Sequence, residues 1–185
     1  MEMATLERFR DYPWEVWHWY LSRIYKHRSA QPNDGHRALV VLEELLGARF
    51  QLITQNVDGL HLKAGNSPEK VYAIHGNLNY MRIFDSSRPN LLPKPDFIEE
   101  FNPNKPLPEE VKSKLHNKTD NLMRSHVLWF DEMCNVELYR SESALKAAQE
   151  ANLLLTIGTT GATSLPALIL KTVVHHGETV IDINP

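Results

Sequence analysis

Cysteine is almost absent from this 185-residue chain, Cys134 being the single one. That excludes an intramolecular disulfide and any all-cysteine zinc site. Charge of one sign is lacking too: the net charge is −3 and the pI near 6.3, which gives no electrostatic case for nucleic acid or an anionic membrane as a direct partner. No apolar run approaches the length of a membrane span, and Met1-Glu2-Met3-Ala4 lacks the basic and apolar regions of a signal peptide. The expectation is a soluble, intracellular, cytoplasmic protein. Internal repeats and low-complexity segments are absent as well. What is present is 42% hydrophobic residues, enough for a core in a chain of this length.

The most informative stretch is Thr54-Gln55-Asn56-Val57-Asp58-Gly59-Leu60-His61. Phe50-Gln51-Leu52-Ile53 before it reads as a short buried strand. A second short strand, Val71-Tyr72-Ala73-Ile74, delivers His75-Gly76 in the same way. Polar groups at the carboxyl ends of two strands sit where an open α/β sheet places its ligand crevice. Singly, Asn56, Asp58 and Gly59 read more readily as a turn, and His75 as a strand cap. Together they read as a reaction site.

Elsewhere helices alternate with strands. Asp34-Gly35-His36 opens a helix with an apolar face of Leu39, Leu42, Leu45 and Leu46, closed by Gly47. Ser143–Gln149 reads as a helix before the buried strand Leu153–Ile157, and Gly158-Thr159-Thr160-Gly161 follows directly. That turn suits backbone contacts to a ligand, or is a plain tight turn. Leu165–Val174 is a further helix, and Thr179–Ile183 a last strand ending at Asn184. Between Ile83 and Ser125, prolines such as Pro89, Pro93 and Pro103 interrupt every regular pattern, as in an inserted module. Near the start, Trp14, Trp17 and Leu21 share a helix face that begins at Pro13, with Asp11 as the expected cap. Tyr20 and Arg23 lie three apart on that helix, so a phenol and a guanidinium can face one pocket.

These blocks carry a resemblance. Pro32-Asn33-Asp34-Gly35-His36-Arg37-Ala38-Leu39, the Thr54–His61 string, Ala64-Gly65, His75-Gly76, Val127-Leu128-Trp129-Phe130-Asp131-Glu132, Ile157–Gly161 and Ile183-Asn184-Pro185 closely resemble, in order and spacing, the sirtuins, NAD-dependent protein-lysine deacylases. The resemblance implies a Rossmann-like doubly wound parallel sheet with a small inserted module. Residues 1–35 would form a helical segment with the acyl-pocket helix. Residues 36–79 and 126–185 would form the NAD-binding domain, and residues 80–125 the small module. Gln55, Asn56 and Asp58 would hold the nicotinamide ribose and carboxamide, and Gly158, Thr159, Thr160 and Asn184 the adenosine half. His75 would be the general base, with Asn56 beside it as catalytic residue. Products would be nicotinamide, free lysine and O-acyl-ADP-ribose. Tyr20 and Arg23 resemble the pair by which some sirtuins bind acidic acyl groups, which points to succinyl- or malonyl-lysine beside acetyl-lysine. Val127, Trp129 and Phe130 would form an edge that pairs with the substrate peptide.

The chain also departs from the family. Ile83, Ser86, His116 and Thr119 fall where the family has four zinc cysteines, so zinc is not expected, even with Asp85 nearby. Asp131 stands where the family has glycine, at a cost if positive φ is needed there. Nothing like the family's Gly-Ala-Gly-x-Ser loop precedes Thr5, and the family's closing helix and strand do not follow Pro185. The expectation is an incomplete sheet without its first strand, whose exposed edges favour homo-oligomers. Besides the deacylase, two alternatives stay open: an NAD glycohydrolase or ADP-ribosyltransferase on the same fold, and an inactive fragment or binding module.

Overall fold

A computed structural model describes residues 3–86, 90–96, 101–133 and 136–184; Pro89, Cys134 and Pro185 lie outside them. The chain divides into two compact units, Met1–Tyr139 and Arg140–Pro185. Among the described residues, no helix is long and apolar enough to cross a membrane.

The first unit opens with α1 (Leu6–Asp11), α2 (Pro13–Lys26) and α3 (Asp34–Leu46). Tyr12, not Asp11, caps α2. Asp11 is instead the last residue of α1, because Tyr12 leaves helical geometry and Pro13 restarts it without needing an amide partner. Val16, Trp17, Tyr20 and Leu21 form the buried face of α2. By contrast α3 buries no residue, and Leu45 is 72% exposed. Asn33 and His36 close a reciprocal cap at its start.

Next come β1 (Leu52–Thr54), α4 (Leu60–Ala64) and β2 (Val71–Ala73), the strands parallel and paired Leu52 with Val71 through Thr54 with Ala73. A three-stranded antiparallel sheet follows, ordered β4 (Leu92–Pro93), β3 (Gly76–Ile83), β5 (Met123–Val127). The proline-rich module is held by packing: Phe101, Leu107, Leu115 and, from α5 (Glu109–Lys114), Val111 join Met81, Met123, Trp17 and Trp129 in one core. Each such side chain, fully buried, contributes about 1.5–3 kcal/mol. The irregular stretch expected between Ile83 and Ser125 ends earlier, at Met123, since all five residues of β5 are buried, Arg124, Ser125 and His126 included. Gly76 crosses β5 so closely that a Cβ would lie 2.1 Å from the His126 carbonyl oxygen. The unit ends in α6 (Val136–Tyr139).

Arg140, at φ 52°, separates α6 from α7 (Ser141–Glu150). The second unit then runs through β6 (Leu153–Ile157), α8 (Ser164–His175) and β7 (Thr179–Ile183), with the two strands parallel and in register. Leu153 and Ile157 are about half exposed, so β6 is less covered than its apolar sequence suggests.

His126 supplies a test of acid sensitivity. Its ring stacks on Tyr139 with centroids 5.2 Å apart. Burial, with Arg82 and Arg124 adding repulsion, pushes its pKa down from 6.5 to about 4. The unfolded chain therefore binds the proton first, and stability falls as pH drops through 6.5 towards 4. We expect unfolding free energy from urea titration to be about 2 kcal/mol lower at pH 5 than at pH 7.5 from this residue. Burial depresses His61 and His75 in the same direction, and His126→Gln should flatten the slope.

Candidate active site

Parallel pairing of β1 with β2 brings the two motif segments side by side. The ladder continues as the Ile74 amide donates to the Thr54 carbonyl at 3.1 Å, and the next residues are Gln55, Asn56 and His75. His75 Nδ1 lies 3.2 Å from the Gln55 carbonyl oxygen. A carbonyl only accepts, so Nδ1 carries the proton and Nε2 keeps its lone pair. Burial lowers the pKa of His75, and the bond to Gln55 partly opposes that. The imidazole is thus neutral near pH 7, with one nitrogen anchored and the other able to accept a proton.

The loop between Thr54 and Leu60 is tied down at several points. The Asn56 amide donates to Thr54 Oγ1 at 3.1 Å, and the Leu78 amide to the Val57 carbonyl at 2.8 Å. Asp58 Oδ1 accepts from the Leu60 amide at 2.8 Å, at the start of α4. Gly59 has φ 73°, and a Cβ there would lie 2.5 Å from the Asn79 side-chain nitrogen. The loop is therefore latched onto β3, the strand that begins beside His75. Thr54, Asn56, Asp58, His61, Ala73 and Asn77 line a cavity of about 60 Å³, room for about two waters or a carboxamide. His61 Nδ1 is buried and has no hydrogen-bond partner among the described residues. Burial and the nearby His36 ring, 4.7 Å away, lower its pKa. Sequence reasoning misses Asn77 as a site residue, because its part depends on the loop folding back onto β3.

Of the three residues expected to meet a peptide, Val127 and Trp129 are buried at 8% and 1% exposure, whereas Phe130 is 80% exposed. The backbone amides of this segment are already used. Leu128 donates to the His75 carbonyl at 2.9 Å, Trp129 to Glu132 Oε2 at 3.0 Å, and Phe130 to the Ala4 carbonyl at 3.1 Å. The strain expected at Asp131 is absent, because among the described non-glycine residues only Asp120 and Arg140 have positive φ. Glu132 is the hub: it binds Arg124 through two hydrogen bonds, at 2.5 and 2.8 Å, and lies 3.5 Å from Arg82. Arg124 lies 3.3 Å over the Trp129 ring and also donates to the Val127 carbonyl.

Tyr20 is buried, and its hydroxyl accepts from Trp129 Nε1 at 2.8 Å. Burial pushes its pKa up to about 12 despite that bond. Arg23 is exposed and lies 4.5 Å over the Trp19 ring, which packs edge-on against Tyr20 at 4.8 Å. The two candidate acyl-binding side chains are thus linked through Trp19. In the module, His116 packs 5.7 Å from Trp14, with Nδ1 at the Lys112 carbonyl. No group of three or more His, Cys, Asp or Glu among the described residues is placed to hold a metal.

In the second unit, Gly158 and Gly161 have φ of 60° and 62°. A Cβ at either would meet nothing within 4 Å, so glycine serves the turn's backbone conformation here. Thr159 Oγ1 accepts from the Gly161 amide at 3.2 Å, and Thr160 is exposed. Asn184 donates to Asp182 Oδ1 at 2.5 Å, and Thr156 donates to the same oxygen. These bonds lower the Asp182 pKa, the one from Thr156 most.

Parallel strand pairs with polar side chains at their carboxyl ends define a Rossmann-like α/β protein. A model of the Sir2 family matches residues 1–164, and the chain belongs to that family. It is 35% identical over 184 residues to an NAD-dependent protein deacylase of Aquifex aeolicus, covering 100% of this chain and 70% of that protein. A protein of the same name from Thermococcus kodakarensis is 36% identical over 183 residues, covering 99% of this chain and 67% of that protein. Among solved structures, a Sir2 homologue–NAD complex superposes with a TM-score of 0.79 at 32% identity, over 100% of this chain and 65% of that one. The chain thus spans about two thirds of the length of these relatives.

Proposed function

We propose that this chain acts as an NAD-dependent protein-lysine deacylase on acetyl-lysine and, through Tyr20 and Arg23, on succinyl- or malonyl-lysine. The observation that carries the reading is His75 anchored by Nδ1 to the carbonyl of Gln55, the residue before Asn56, which leaves Nε2 to accept a proton. The relatives' name and the solved NAD complex support the same cofactor. The cavity lined by Asn56, Asp58, His61 and Asn77 together with Leu62, Pro68 and Val71 is of a size for a carboxamide group. In the first unit Gln55, Asn56 and Asp58 would hold the nicotinamide ribose and carboxamide. In the second, Gly158, Thr159, Thr160 and Asn184 would contact the adenosine. NAD supplies the ADP-ribosyl acceptor for the acyl group, with nicotinamide as leaving group. His75 Nε2 takes up the proton that the acceptor hydroxyl gives away. Because the amides of Leu128, Trp129 and Phe130 are engaged and the Trp129 carbonyl accepts from the Glu132 amide, peptide pairing falls to the Leu128 and Phe130 carbonyl oxygens, with Phe130 as an exposed side-chain contact.

The same engaged amides favour a second reading, in which NAD is cleaved without a peptide, as by a glycohydrolase or ADP-ribosyltransferase. Nicotinamide release, measured by mass spectrometry with no peptide, an acetyl-lysine peptide and a succinyl-lysine peptide, separates the two. The deacylase releases nicotinamide only with peptide. Arg23→Met should lower succinyl turnover by about tenfold or more and spare acetyl turnover, since a bidentate charged contact is lost. Release without peptide establishes the second reading, and silence in all three conditions overturns both.

A further inference from the structure

We infer that Asp131 is a positioning residue for the acyl-peptide substrate, through a clasp between the segment after β5 and the start of α1. The inference rests on the deacylase reading. Asp131 Oδ1 accepts from the Leu6 amide at 2.7 Å, and Oδ2 from the Glu7 amide at 3.2 Å. These are first-turn amides of α1, which have no partner within their own helix. A carboxylate also suits the positive end of a helix. Thr5, the helix's own cap, takes only the Arg8 amide, so Asp131 completes the set from 125 residues away.

Further contacts hold the same junction. The Phe130 amide donates to the Ala4 carbonyl, and Phe9 packs 5.1 Å from Trp129. At its other end, the segment is bonded to the His75 carbonyl through Leu128. Residues 128–131 therefore bridge the proposed base and α1. The path of their carbonyl oxygens, which a peptide would meet, depends on how firmly Asp131 is held. A glycine here would leave the Leu6 and Glu7 amides without this partner.

The test is steady-state kinetics of the full chain and of Asp131→Ala and Asp131→Asn. Asp131→Ala should raise the KM for acyl-peptide by about tenfold, as loss of a cap contact would. The kcat and the KM for NAD should stay within about twofold. Asp131→Asn, whose amide oxygen still accepts one bond, should recover most of the loss. An unchanged peptide KM, or a fall in kcat matched by lost thermal stability in both variants, overturns the inference. If the unsubstituted chain shows no peptide-dependent turnover, the deacylase reading fails, and hydrogen exchange then decides whether the clasp exists. Asp131→Ala should speed exchange at Leu6, Glu7 and Leu128–Phe130, and unchanged rates there overturn the clasp.

Discussion

His75→Ala is expected to lower peptide-dependent nicotinamide release by about 10³-fold, the scale of a lost general base. It should do so without unfolding the chain, because the ring is half-buried and is held by a hydrogen bond to a backbone carbonyl, that of Gln55. The loss should fall on kcat, with the KM for NAD little changed. The wild-type pH profile should agree. Burial lowers the pKa of His75 from 6.5, so the base stays neutral at pH 7 and the acid limb of kcat/KM lies below pH 6.5. Full activity in His75→Ala would remove the imidazole from the mechanism. An acid limb above pH 7 would assign the titration to another group.

The second large effect is on stability. Glu132→Ala should destabilise the first unit by about 3–5 kcal/mol, because it strands buried positive charge. The Arg124 side chain is 0% exposed and that of Arg82 5%. Glu132 answers both and also accepts the Trp129 amide. Set against a typical domain stability of about 5–15 kcal/mol, that loss is a large fraction. Urea denaturation of Glu132→Ala, Arg124→Met and the double variant would show it. The double variant should be clearly more stable than Glu132→Ala alone, since removing both partners strands less charge than removing one. Equal losses for Glu132→Ala and the double variant would mean that packing around Trp129 matters more than charge.

Much of the architecture was legible because it rests on local pattern. β6 and β7 are apolar runs closed by glycine or asparagine, and α3 shows its start at Asp34 and its end at Gly47. Parallel neighbouring strands place Gln55 and His75 together, as two short apolar runs ending in polar residues suggest. β5 was not legible in the same way. Arg124, Ser125 and His126 read as surface residues, and nothing local reveals that Glu132 follows to neutralise the buried guanidinium. Distant partners also settle where Tyr20 and Asp131 spend their polar atoms: the first meets Trp129, 109 residues on, and the second reaches back to α1. Composition and spacing carry no record of such pairings. Exposure of the apolar face of α3 and of Leu153 and Ile157 in β6 was hidden for the opposite reason, since the pattern shows what can be buried and not what covers it.

The division at residue 139 has an optical consequence. All four tryptophans, six tyrosines and six phenylalanines precede residue 140. Intrinsic fluorescence and near-ultraviolet dichroism therefore report on the first unit alone, and the second is spectroscopically silent beyond its peptide bonds. Trp17 and Trp129 are buried, and Trp129 lies against a guanidinium with its indole nitrogen bonded to Tyr20, so its emission should be blue-shifted and sensitive to the state of Glu132. A melting curve followed by tryptophan emission and one followed by far-ultraviolet ellipticity would coincide only if both units unfold together. Any gap between them measures, without a label, how independently residues 140–185 come apart.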